Sequence, residues 1–110
     1  MTIPKRSEVW LIRFDPSVGG EIKKIRPAVI VSIDSSNKNL NRVQFVPLTS
    51  NIMRSFPCEA YVTVKGKQRK AMADQIATAS KERLVKRLGK VSNEDMEAVS
   101  DAIKVQLGLR

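Results

Sequence analysis

The chain has 110 residues, 20 Lys and Arg against 11 Asp and Glu, and no histidine, which bounds it to one small domain over 1–110 with a single modest core. Without histidine, a Ser-His-Asp triad, an imidazole acid–base pair and a His-ligated metal are excluded; with Cys58 as the one cysteine, so are an internal disulfide and a CxxC zinc site. No run reaches the ~20 apolar residues of a membrane span, and MTIPKRSEVW carries no apolar signal region, so the expectation is a cytoplasmic protein with no membrane partner.

Along the chain, residues 8–14 mix alternation with a central apolar stretch and predict a first strand, closed by a turn at Asp15 and Pro16. Gly19 and Gly20 open a loop that carries Glu21, Lys23 and Lys24 and ends at Arg26, which Pro27 biases toward extended backbone. The β-branched run over 27–33 predicts a strand buried on both faces, and 34–39 (DSSNKN) reads as a polar loop. Val43, Phe45 and Leu48 alternate around Gln44 in a third strand that ends at Thr49, Ser50 and Asn51. Residues 60–64 predict a fourth strand, closed by Lys65, Gly66 and Lys67. A fifth is expected over 70–77, including Asp74 and Gln75, and a short sixth over 88–91.

The period then changes. Ser92 is placed as an N-cap with Glu94 and Asp95 in the first turn, Met96, Val99, Ile103 and Leu107 share one helical face, and Gly108 is placed to end the helix. This predicts a helix over about 93–107 whose apolar stripe serves core or dimer packing. The expected fold is mainly β with a C-terminal helix: a small, strongly bent antiparallel sheet or barrel of about five to six strands, capped by the helix.

The charge is uneven. Before residue 92 there are 18 basic and 7 acidic residues, and after it 2 and 4. A basic body points to a polyanionic partner, a nucleic acid or an acidic protein segment, or else to a solubility surface. Arg, Lys, Glu, Asp, Ser, Thr and backbone amides suit one reaction well, the cleavage of RNA by its own 2′-hydroxyl. There the protein need only hold the phosphate in line, stabilise the added charge and help move protons. A guanidinium fork matches two phosphoryl oxygens, and a hydroxyl beside it can bind the phosphate or orient the 2′-OH. Arg26, at a strand entrance, and Thr49 and Ser50, at the end of the next apolar strand but one, are such a set. By pattern alone, an arginine before proline is equally a solvated loop end, and Thr-Ser-Asn a turn or helix cap. Phe56, beside Pro57, is a stacking residue or a loop anchor. Lys65, Lys67, Arg69 and Lys70 track phosphates or decorate a solvated hairpin. Trp10 reads as core, and Cys58 as a small buried hydrophobe.

Taken in order, Val9 and Trp10; Phe14, Asp15 and Pro16; Gly20 and Glu21; Arg26 and Pro27 with the apolar run after them; Val46, Pro47, Leu48, Thr49 and Ser50; Asp74, Gln75 and Ile76; Arg83 and Leu84; and Leu107, Gly108 and Leu109 resemble the MazF/PemK family of toxin endoribonucleases (mRNA interferases). The resemblance implies an SH3-like barrel with a C-terminal helix, acting as a homodimer. It implies cleavage of single-stranded RNA at short sequences, without metal or other cofactor, leaving a 2′,3′-cyclic phosphate and a 5′-hydroxyl. It also implies a cognate antitoxin whose acidic, disordered tail covers the basic groove. The family's arginine before proline falls on Arg26, its threonine at the end of the third strand on Thr49, and its loop glutamate, a proton acceptor or a shaper of the loop, on Glu21. Gln75 would hydrogen-bond a base or phosphate or brace the loop, and Lys23, Lys24, Ser50, Asn51, Phe56, Lys67 and Arg69 complete the expected RNA surface. Two departures stand out: Arg6, Ser7 and Glu8 where the family often has Arg-Gly-Asp or Arg-Gly-Glu, and Lys24 and Ile25 where many members keep a glycine before the arginine. The alternatives are a non-catalytic toxin of the same fold that poisons a protein target such as a topoisomerase, and a plain RNA- or DNA-binding module.

Overall fold

The β-branched and alternating segments become strands close to where their period puts them. The computed structural model describes residues 2–14 and 25–110; the turn expected at Asp15 and Pro16 and the loop residues Gly19, Gly20, Glu21, Lys23 and Lys24 lie outside them. In chain order the elements are β1 (Glu8–Arg13), β2 (Ile25–Ile30), α1 (Asp34–Asn39), β3 (Arg42–Thr49), β4 (Glu59–Val64), β5 (Lys67–Met72), β6 (Ala77–Ser80), β7 (Leu84–Lys90) and α2 (Asn93–Leu107). The strands pair antiparallel in the order β4-β5-β3-β2-β1-β7, and β6 adds to β3. The result is a curled antiparallel half-barrel with α2 packed on it.

β3 is the hub. One edge carries β6 along Arg42 to Phe45 and then β5 at Leu48 and Thr49, while the other edge holds β2 from Phe45 to Pro47. The continuous apolar run of β2 follows from burial on both faces. Val29 and Val31 belong to the core beneath α2, with Val9, Val46, Leu48, Val62 and Val99. Ala28 and Ile30 belong to a second core on the opposite face, with Trp10, Ile12, Val43 and Phe45.

Four details differ from the sequence expectation. Residues 34–39 form the short helix α1 and not a loop: no apolar stripe announces it, and it is pinned by Asn37, fully buried, whose Nδ2 donates to the Ser32 carbonyl at 3.0 Å. The fifth strand begins at Lys67 and ends at Met72, because Lys65 (φ 50°) and Gly66 (φ 78°) make a two-residue turn that pairs Val64 with Lys67, the positive-φ geometry that matches strand twist. A 3₁₀ turn, Ala73–Gln75, then separates it from β6, so there are seven strands among the described residues. The last strand spans Leu84–Lys90; its charged outer face hid it from the apolar pattern. Helix α2 has the expected bounds, with Ser92 Oγ accepting the Asp95 amide at 3.1 Å and Gly108 at φ 69°. Met96, Val99 and Ala102 are buried, but Leu107 is 52% exposed, so the last turn adds nothing to the core.

Candidate active site at the end of strand β3

The β2–β3 ladder runs Ile30↔Phe45, Val29↔Val46, Ala28↔Pro47 and stops. Pro27 has no N–H with which to continue it. Carried two residues further, the same register would set Arg26 opposite Thr49. Each of the two is instead held by its outer neighbour: Arg26 pairs with Ile12 of β1, and Thr49 with Lys70 of β5. The sheet opens between them into a pocket of ≈ 310 Å³ lined by Ile25, Arg26, Pro27, Leu48, Thr49, Ser50 and Arg69. Leu48 is 2% exposed, whereas Arg26 and Ser50 face solvent. Among the described residues the lining has two guanidinium groups, two hydroxyls and no carboxylate, a set suited to a phosphate. Thr49 Oγ1 accepts the Asn51 amide at 3.2 Å, which leaves its O–H free to donate.

A second depression of ≈ 250 Å³ adjoins the first and shares Pro27, Leu48 and Arg69 with it; Val9, Val64 and Leu88 give it an apolar lining, and Lys65 and Lys67 a basic one. The structure therefore brings Lys67 and Arg69 to the same groove as Arg26, Thr49 and Ser50. Lys70 does not join them. Alternate residues of a strand face opposite sides: Arg69 shares the face of the core residues Val62 and Ala71, whereas Lys70 lies on the other face with Tyr61 and Glu59, 6% exposed and with its Nζ 3.1 Å from Glu59 Oε1. Reading it as a phosphate contact is corrected on that ground. Glu59 and Lys70 are diagonal neighbours in the β4–β5 ladder, where Glu59 pairs with Met72 and Tyr61 with Lys70. Once the turn at Lys65 and Gly66 is recognised, their proximity follows from the sequence.

The family model of the PemK-like, MazF-like toxins of type II toxin–antitoxin systems matches residues 5–107. The chain belongs to this family. It is 36% identical over 114 residues to the endoribonuclease MazF9 of Mycobacterium tuberculosis (strain ATCC 25618 / H37Rv), spanning 96% of this chain and 97% of that one. Among solved structures, an endoribonuclease in complex with its cognate antitoxin, from a mycobacterial species, matches with a TM-score of 0.80 and 27% identity over 97% of each chain. The MazE–MazF complex (Form-II) of Deinococcus radiodurans matches with a TM-score of 0.85 over the whole of both chains; at 21% identity it speaks for the fold.

In this MazF-family chain Asn51, Gln75 and Phe56, also expected at the site, do not line the pocket. Asn51 is exposed, its Oδ1 accepting the Met53 amide at 3.3 Å in the turn after β3. Gln75 is exposed at the end of the 3₁₀ turn, with its Nε2 donating to Met72 Sδ at 3.6 Å, and lines neither depression. Phe56 is 51% exposed on the loop over 50–58 and also lies outside both linings. Glu21, Lys23 and Lys24 are outside the described residues. Trp10 is core, as expected, and its Nε1 donates to Glu8 Oε1 at 3.1 Å. The composition gave no sign of Arg54, whose guanidinium carbon lies 5.4 Å from the Phe56 ring centroid.

Proposed function

We propose that this MazF-family chain is an endoribonuclease toxin that cleaves single-stranded RNA through the substrate's own 2′-hydroxyl. The 2′-oxygen attacks the adjacent phosphorus and the bond to the 5′-oxygen breaks, leaving a 2′,3′-cyclic phosphate on one product and a 5′-hydroxyl on the other. Arg26 spans two phosphoryl oxygens and meets the charge that builds in the pentacoordinate transition state. Thr49 donates its hydroxyl to the same phosphate, and Arg69 adds positive charge from β5. Glu21 is assigned the proton of the attacking 2′-OH, and the leaving 5′-oxygen takes its proton from solvent. No step calls for a metal ion. A cognate antitoxin with an acidic tail is the partner that suits the basic groove, and a homodimer is the proposed assembly.

The observation that carries this reading is the opening of the β2–β3 ladder, which gathers Arg26, Thr49, Ser50 and Arg69 around one pocket. The test is cleavage of a long RNA in EDTA by the wild type, Arg26→Ala and Thr49→Ala. The wild type should cut, and loss of the Arg26 charge should slow cutting by about 10²–10³-fold, as for other groups that stabilise a developing anion. Undiminished cutting by both variants overturns the assignment. Intact RNA alongside arrested growth on expression points instead to a toxin that acts by binding.

A further inference from the structure

The ion pair between Lys70 and Glu59 has no part in the reaction above, yet it is buried, with side-chain exposures of 8% and 10%. Its atoms are spent on one loop. Lys70 Nζ donates to the backbone carbonyl of Arg54. Glu59 Oε1, the oxygen that faces Lys70, also accepts the Phe56 amide at 2.9 Å. The Glu59 amide donates to the Phe56 carbonyl at 2.8 Å, and the Tyr61 hydroxyl to the Ile52 carbonyl at 3.0 Å. The two residues tied at 54 and 56 are the two that stack, guanidinium over ring at 5.4 Å, and both are exposed. The loop starts at Ser50, in the lining of the pocket, and Lys70 stands directly across the β3–β5 ladder from Thr49. Four backbone and side-chain ties thus hold an exposed cation–aromatic pair at a set place on the loop that leaves the pocket at Ser50.

We propose that Arg54 and Phe56 form a stacking platform for the nucleobase flanking the scissile phosphate, and that the buried Lys70–Glu59 pair positions that platform. This rests on the ribonuclease reading. An aromatic ring and a guanidinium plane both present a flat face to a base, and a loop ordered in advance avoids the entropy cost of ordering on binding. The platform binds the base equally in the ground and transition states, so it acts on KM and leaves kcat.

The experiment maps the cleavage site of the wild type in a long RNA and then uses short oligonucleotides with single abasic nucleotides on either side of it. At one flanking position the abasic substitution should raise the wild-type KM by roughly 5- to 150-fold, the range for one stacked base. Phe56→Ala should raise KM on the intact oligonucleotide to a similar degree, keep kcat, and no longer respond to that abasic position. The double variant Glu59→Gln/Lys70→Met, shown to be folded by a cooperative melt, should behave as Phe56→Ala does, whereas Lys70→Arg should keep the wild-type KM. If Phe56→Ala responds to abasic nucleotides as the wild type does, the platform is overturned whether or not the double variant folds. A folded double variant with wild-type KM overturns the positioning role. A wild type that cuts no RNA overturns the parent reading instead.

Discussion

At the scale of single residues, Ser7 and Glu8 carry more than their place at the start of β1 suggests. Ser7 sits at φ 78°; its amide donates to the Ile30 carbonyl and its carbonyl accepts the Val91 amide, both at 2.9 Å. It thereby ties the chain before β1 to the end of β2 and to the exit of β7. A Cβ in that region costs about 1–2 kcal/mol, and glycine's extra entropy loss on folding about 0.5–1 kcal/mol, so the first effect wins. Ser7→Gly is expected to raise stability by about 0.5–1 kcal/mol, seen as a higher urea midpoint with an unchanged slope. This also accounts for the glycine that the family often has there. Burial pushes the Glu8 carboxyl up, but the Lys5 amide, the Trp10 indole and the Arg87 guanidinium, hydrogen-bonded to it at 2.8, 3.1 and 2.8 Å, together hold it below its ordinary 4.5. A carboxyl lowered on folding stabilises above its unfolded value and loses that contribution as pH falls through the folded one. The stability gap between wild type and Glu8→Gln should therefore be full at pH 7 and close as the pH is taken well below about 4.5, in urea titrations at each pH.

Among the elements, α2 shows how local chemistry sets a boundary and distant chemistry uses it. Ser92 caps the first turn through Asp95, and the Asp95 carboxylate accepts the Thr63 amide of β4 at 2.9 Å. β4 ends the strand order, and a free edge amide there invites pairing with another chain; the helix covers it. Ser92→Ala should cost about 1 kcal/mol, measured by thermal or urea unfolding, with the fold retained. The bounds of α2 were legible because cap and stop residues act on their immediate neighbours. Those of α1 and β5 were not: α1 depends on one asparagine buried by tertiary packing, and the start of β5 on a turn whose register had to be recognised before the strand could be.

For the molecule as a whole, a net charge of +9 and a groove edged by Lys65, Lys67 and Arg69 make affinity for a polyanion dependent on salt. Lys67→Ala and Arg69→Ala are each expected to weaken RNA binding for all sequences alike and to flatten the plot of log affinity against log salt by about 0.7. Titrations of an uncleavable RNA, with a 2′-deoxynucleotide at the scissile position, over a range of salt check this. A change confined to certain sequences would assign base recognition to these side chains instead of phosphate contact.

Composition and period by themselves determined the histidine-free set of reactive groups, the burial of β2 on both faces and the capped helix, because each depends on residue type or on neighbours a turn or two away. The ordered motifs also carried the family. Only the tertiary structure decided which basic residues face the groove: Lys70 looks like Lys67 and Arg69 in the chain, but the alternation of β5 puts it on the opposite face, where Glu59 and the loop over 50–58 cover it. Only the tertiary structure brought Arg26, Thr49, Ser50 and Arg69 to one pocket as well. Their meeting depends on β3 losing β2 from one edge after Pro47 as it takes up β5 on the other at Leu48, a matter of strand pairing between segments far apart in sequence.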